Sequence, residues 1–297
     1  ATLTGSNSEF GDLFGASVAI SNDRIVVGAY YEDGDGTGIN SFSNNNLTNS
    51  GAAYVFVRSG SSWIEEAYLK AKNSGEYDFF GFTVDIYGDT VVVGSPLEST
   101  KNGGIDPVGD DLSNSVASGA AYVFEYVPSG GWTIGPMMKA STPSSNSSFS
   151  KSISVSGNTI VIGTDGLVAY VFEKFGGTWM GPEPLNSPDL GVGDQFGRNV
   201  AVYGDIIAVG APQEDGSGSG LNPIPNNGLS NSGAIYLYQK IQGSWQNTDY
   251  LKSTSPGSGL RFGASLALTD GDLATASSMD FEETGDSRIL RLWEPQE

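Results

Sequence analysis

FGASVAISNDRIVVGA, residues 14–29, holds no histidine, no cysteine and no obvious reactive group, yet close copies of it recur along the chain. Phe80 opens FGFTVDIYGDTVVVGSP, Phe149 opens FSKSISVSGNTIVIGT, Phe196 opens FGRNVAVYGDIIAVGAP and Phe262 opens FGASLALTDGDLATAS. The phenylalanines are 66, 69, 47 and 66 residues apart. A recurring phrase in this range signals a repeat architecture, in which each repeat is one supersecondary piece that buries its apolar face against its neighbours. Within each copy, two β-branched apolar runs are joined by Asn-Asp, Gly-Asp or Gly-Asn, dipeptides that accept the positive φ of a tight hairpin turn. These runs are strands A and B.

A third run, strand C, follows a loop: GAAYVFVR from Gly51, GAAYVFEY from Gly119, VAYVFEK from Val168, GAIYLYQK from Gly233 and RILRLWE from Arg288. A short turn then leads to Trp63, Trp132, Trp179 or Trp245 and an outer strand D. Four strands per repeat and no helical periodicity predict an all-β propeller of five four-stranded blades, a single domain over residues 1–297. The last repeat stops after strand C. The N-terminal ATLTGSNSEFGDLFG aligns with the D-strand passage AYLKAKNSGEYDFFG, so residues 2–4 are expected to complete the last blade and spare the ring an open edge.

Composition narrows the chemistry. Zero histidines and zero cysteines exclude Ser-His-Asp triads, Cys/His zinc centres and thiolate nucleophiles, leaving carboxylates, Lys, Tyr and Ser. With no strand–glycine loop–helix order to cradle a phosphate and no histidine or cysteine to ligate a transition metal, haem, zinc, nucleotide and flavin are not expected. A net charge of −20 opposes nucleic acid and anionic lipid, and no apolar run is long enough to insert in a membrane as a helix.

The Phe-Gly that opens strand A and the Gly-Ala-Pro that ends strand B resemble FG-GAP repeats, the blades of integrin α-subunit propellers. Phe196-Gly197 with Gly210-Ala211-Pro212 is the fullest match, and Phe149-Ser150 with Gly163-Thr164 is degraded. The resemblance implies a secreted or cell-surface adhesion module. It also implies calcium between the FG and GAP elements, but here those connections are two-residue turns, too short to wrap a cation that takes six to eight oxygens.

Candidate site residues therefore lie elsewhere. Long insertions separate strands B and C in repeats one, two and four, and are missing from repeats three and five. Glu32, Glu98 and Glu214 recur at one register within them, and Asn40, Asp106 and Asn222 at another. Such agreement implies a shared loop conformation with Asx-type bonds to the backbone, or a set of ligand contacts at Glu98, Asp106, Glu214 and Asn222. Asp33, Asp35 and Thr37 place oxygens at alternate positions, as calcium loops do, without the closing glutamate. Tyr30, Tyr31 and Phe42 are candidates to stack on sugar rings, while the hairpin tryptophans read as packing. The leading expectation is a non-catalytic extracellular binding module for a protein or glycan. The alternatives are a glycosidase working through two carboxylates, with Asp85 its best-placed acid, and a structural subunit of a filament or matrix.

Overall fold

A computed structural model describes the chain except residues 42–43, 108–116, 167, 189–190, 192, 271, 278–286 and 292–297. Among the described residues there is no helix, and the strands form five sheets in chain order. The first is β1 (Ser17–Ser21), β2 (Arg24–Ala29), β3 (Ala52–Ser59) and β4 (Ser62–Leu69), each hydrogen-bonded to the next. The second contains β5 (Thr83–Tyr87), β6 (Thr90–Ser95), β7 (Gly104–Ile105), β8 (Ala120–Val127) and β9 (Gly131–Lys139) in the order β5-β6-β8-β9-β7. The third is β10 (Ser152–Ser156), β11 (Thr159–Gly163), β12 (Val168–Phe175) and β13 (Thr178–Asn186). The fourth holds β14 (Asn199–Tyr203), β15 (Ile206–Ala211), β16 (Gly220–Leu221), β17 (Ala234–Ile241) and β18 (Ser244–Lys252) in the order β14-β15-β17-β18-β16, and the fifth is β19 (Ser265–Leu268), β20 (Asp272–Ala276) and β21 (Ser287–Arg291).

The A–B hairpins are as tight as their sequences predict. Ser21 pairs with Arg24, Tyr87 with Thr90 and Tyr203 with Ile206, leaving two-residue turns. Asn22 at φ 53° and Gly88 at 57° take the left-handed conformation such turns need. One expectation is corrected. Sheets two and four have five strands, because the B–C loop returns to add β7 or β16 outside strand D and so covers an otherwise open edge. Among the described residues the fifth sheet has three strands, and residues 1–16 carry no assigned strand.

The chain divides into two compact units, residues 1–157 with 174–182, and residues 158–173 with 183–297. In the first, sheets one and two pack face to face: Val26, Val55 and Leu69 meet Phe80, Val84 and Tyr122 in one buried cluster. In the second, Val171 and Leu185 meet Phe196, Val209 and Tyr236, and Ala208 and Ile235 of sheet four meet Phe262 and Leu273 of sheet five. Phe80 and Phe196 are fully buried, each contributing about 2–3 kcal/mol through area removed from water. Face-to-face packing of successive sheets makes the fold propeller-like.

The repeated phrase is explained where these sheets meet. A Cβ on Gly28, the glycine that ends β2, would lie 2.0 Å from the carbonyl oxygen of Gly81, the FG glycine of the next repeat. Gly81, at φ 90°, itself abuts the Ala52 carbonyl at 2.1 Å. Gly51, at φ 81°, bridges to Phe80 and abuts its carbonyl oxygen at 2.0 Å. In the second unit Gly210 faces Gly263 and Gly233 faces Phe262 in the same manner. Backbone touches backbone, so only glycine fits, and the buried phenylalanine beside it locks the approach.

Polar ties run along the same seams. Trp132 donates from Nε1 to Glu66 at 3.0 Å, and Trp179 to Glu125 at 2.9 Å. Arg24, paired with Glu66 of its own sheet, reaches Asp89 of the next, and Lys174 pairs with Glu125 and Lys240 with Glu173. The tryptophans are therefore packing residues, as their sequence positions suggested.

Candidate functional site: the long loops and their buried anchors

Each long B–C loop is built upward from a buried ionic base. Directly after strand B the chain turns sharply, with Glu32, Glu98 and Glu214 donating their N–H to Ala29, Ser95 and Ala211, and this turn drives the glutamate side chain inward. There it meets a lysine at the end of strand D or one residue past it. Glu32 accepts from Lys70 Nζ at 2.8 Å, while Glu98 pairs with Lys139 and Glu214 with Lys252. All six side chains are at most 5% exposed.

A serine just before strand C completes each cluster. Lys70 donates to Ser50 Oγ, Lys139 to Ser118 and Lys252 to Ser232. The serine hydroxyls in turn donate back to loop carbonyls, Ser50 to Gly34 and Ser232 to Gly216. Tyr68 and Tyr250 hydroxyls donate to Glu32 and Glu214, and Asn73 to Glu98. Burial pulls the Lys70 ammonium below the ordinary lysine range, and the carboxylate of Glu32 counteracts this.

Farther along, Asn40, Asp106 and Asn222 clamp the loop to strand D. Each donates its backbone N–H to the carbonyl of Tyr68, Met137 or Tyr250 and accepts that residue's N–H on its side chain, at 2.7–2.9 Å. All three sit at φ 45–50°, a conformation that Asn and Asp tolerate. The shared-conformation reading of these registers is what the geometry displays. Glu98 and Glu214, nominated as ligand contacts, are sealed inside, out of reach of anything docked on the surface. Asp106 and Asn222 each spend a side-chain oxygen on the backbone of strand D.

The proposed cation ligands are likewise engaged. Asp33 accepts from Asn49 N at 2.7 Å, and Asp35 from Asn44 N at 2.8 Å and Asn46 Nδ2 at 3.1 Å. Those bonds hold the exposed Asp35 carboxyl below the usual range. Thr37 is exposed. Among the described residues no group of three or more His, Cys, Asp or Glu side chains is placed to share a metal.

Tyr30 and Tyr31 lie at the mouth of the first loop and stack edge-on at 4.6 Å between ring centroids. Phe79 and Phe82 of the next repeat close the cluster, at 5.6 and 5.1 Å from Tyr30. Phe42 lies outside the described residues. Asp85 on β5 accepts from Val155 N at 2.7 Å and Ile86 N at 2.9 Å; burial pushes its carboxyl up to about 6. Its oxygens hold strand β10 against β5 instead of facing an open catalytic space.

Sequence reasoning missed Lys70, Lys139 and Lys252 and their serines. A signal existed: in repeat three, which lacks the long loop, Asn186 stands where the lysine would be and no glutamate follows strand B. Glutamate, lysine and loop come and go together.

A chain of successive face-packed sheets whose seams are glycine–glycine contacts is a repeat protein of the Phe-Gly/Gly-Ala-Pro kind. The FG-GAP repeat model matches residues 1–56, 63–124 and 179–238, more than half of the sequence, and the chain belongs to that family. No curated protein matches it in sequence. Among solved structures it is similar to the computationally designed Ika4 protein, with 11% identity over 69% of this chain and 89% of that one, at a TM-score of 0.37.

Proposed function

We propose that this protein is a non-catalytic binding or adhesion module, secreted or displayed at a cell surface, that takes a protein or glycan partner on its long B–C loops. The observation that carries this reading is the buried Glu–Lys–Ser cluster beneath each of those loops, which the short connection of repeat three lacks. Burying an ion pair is a poor way to gain stability, because desolvation offsets most of the attraction. It is an effective way to fix one loop shape, and a loop ordered before binding costs less to dock. Integrin-like propellers, built from the same repeats, are adhesion proteins, which agrees with this reading at a coarse level.

The test is an array of glycans and matrix proteins, read with calcium and with chelator, for the native chain and for a variant whose three loops are cut to the length of the repeat-three connection. Saturable binding that disappears in the shortened variant is expected. Binding that survives the deletion refutes the role of the loops, and loss with chelator shows that the interaction depends on calcium.

The finer architecture belongs to the same proposal: the five sheets are blades of one ring, with residues 2–4 supplying the outer strand of the last. Three observations support it. The family match begins at residue 1, ahead of Phe14, as the second and third matches begin on strand D. Asn7 donates to Glu32 as Asn73, its aligned counterpart, donates to Glu98. Val18 and Ile20 of β1 are 63% exposed where Val84, Ile86, Val200 and Val202 are buried. Arg288, opposite Thr275, holds the register that Tyr54 holds opposite Val27, and Tyr54 pairs with Tyr68, the counterpart of Thr2. In this cysteine-free chain, the double variant Thr2→Cys with Arg288→Cys is expected to close a disulfide on mild oxidation, seen as a loss of two hydrogens by mass and a higher Tm. Thiols that stay free in the folded protein argue against the ring.

A further inference from the structure

The D-to-A turn of repeat two breaks the pattern that its sister turns keep. At the third position before each strand-A phenylalanine the backbone is left-handed, and four repeats place Gly11, Asn146, Gly193 and Gly259 there. Repeat two places Tyr77, at φ 63° and 53% exposed. A bulky residue in that conformation is strained, and such an outlier where the sister turns use glycine or asparagine directs the search for function to this turn. Two residues on, Phe79 joins Tyr30, Tyr31 and Phe82 in the aromatic cluster. The repeat pattern again offers smaller choices: proline stands at the register of Tyr30 in Pro96 and Pro212.

Four aromatic residues therefore gather at one seam, the junction of repeats one and two, at the mouth of the first long loop, and Tyr77 stands exposed on the same turn, two residues before Phe79. The turn is pinned to that loop: Tyr77 N donates to the Thr48 carbonyl at 2.9 Å, and Phe79 N to that of Asn49 at 3.2 Å. The same loop exposes the amides of Asn44 and Asn45 and the hydroxyl of Thr48, the last bonded through its carbonyl to the turn. Lys151, the cation nearest Phe82, already lies over that ring, 5.1 Å from its centroid.

We propose that Tyr31 and Tyr77, backed by Tyr30, Phe79 and Phe82, form a stacking platform for a neutral oligosaccharide. This deepens the binding-module reading and rests on it. Rings offer flat apolar faces to the C–H side of a pyranose, and the neighbouring amides and hydroxyl suit its hydroxyl groups. The neutral class follows from charge, since a chain of net charge −20 repels uronate, sialylated or sulfated sugars.

Calorimetric titration with hexasaccharides of glucose, galactose and mannose, set against the galacturonate hexamer, tests this. A neutral hexasaccharide is expected to bind. Tyr77→Gly should weaken it at least about tenfold, the loss of one stacked ring. Its Tm should stay level or rise, because glycine relieves the turn. Tyr31→Ala provides a second variant outside the strained turn. Retained affinity in both variants, or binding of the galacturonate alone, overturns the platform. If no sugar binds while the array still yields a loop-dependent protein partner, the platform falls and the binding-module reading stands. Silence in both assays removes both.

Discussion

Gly51→Ala is expected to abolish cooperative folding of the first compact unit, or to lower its stability by more than about 4 kcal/mol, beyond the range of ordinary substitutions. Two penalties add at this position. The backbone is left-handed at φ 81°, and the new methyl would sit 2.0 Å from the Phe80 carbonyl oxygen and 2.6 Å from its nitrogen, neither of which can move without parting two sheets. Gly60 supplies the control. It has φ 61° with nothing within 4 Å of a built Cβ, so Gly60→Ala should cost only the local strain, about 1 kcal/mol. Denaturant melts of the two variants decide the matter. Equal losses refute the idea that backbone contact between neighbouring sheets, and not turn geometry, fixes these glycines.

Lys139→Met should remove about 3–5 kcal/mol, because it leaves the Glu98 carboxylate buried and uncompensated, and both side chains are 0% exposed. The double variant Lys139→Met with Glu98→Gln should recover most of that loss. Its neutral amide still accepts from Thr100 N, as Glu98 does at 2.8 Å, without a charge to solvate. If the single variant melts like the double one, the pair is not the anchor of the loop. Binding on the array should separate from stability here: the double variant is folded, but its loop is held by one bond fewer to Ser118. A drop in affinity without a drop in stability is the expected signature of lost pre-ordering.

Much of this was legible along the chain because the relevant physics is local. Two-residue turns carrying Asn22 or Gly88 declare hairpins, and β-branched runs declare strands, whatever surrounds them. The recurrence of Glu32, Glu98 and Glu214 at one register correctly announced a common loop form. Their purpose was not legible. A glutamate beside Asp-Gly-rich sequence reads as exposed, and nothing local says that the turn after strand B will aim it at a lysine 38 residues away, as in Glu32 and Lys70. Asp85 posed the same difficulty: its partner, Val155 N, comes from the next repeat, 70 residues on.

By itself the sequence determined the all-β class, the repeat, the hairpins and the absence of histidine and thiol chemistry, since these depend on residue type and spacing over a few residues. Only the tertiary structure decided which carboxylates are sealed and which face outward, which glycines bear backbone contact, and that Tyr77 occupies a left-handed turn leading into an aromatic cluster. Those properties arise from burial and from groups distant in the chain, and desolvation acts on neighbours in space, not in sequence.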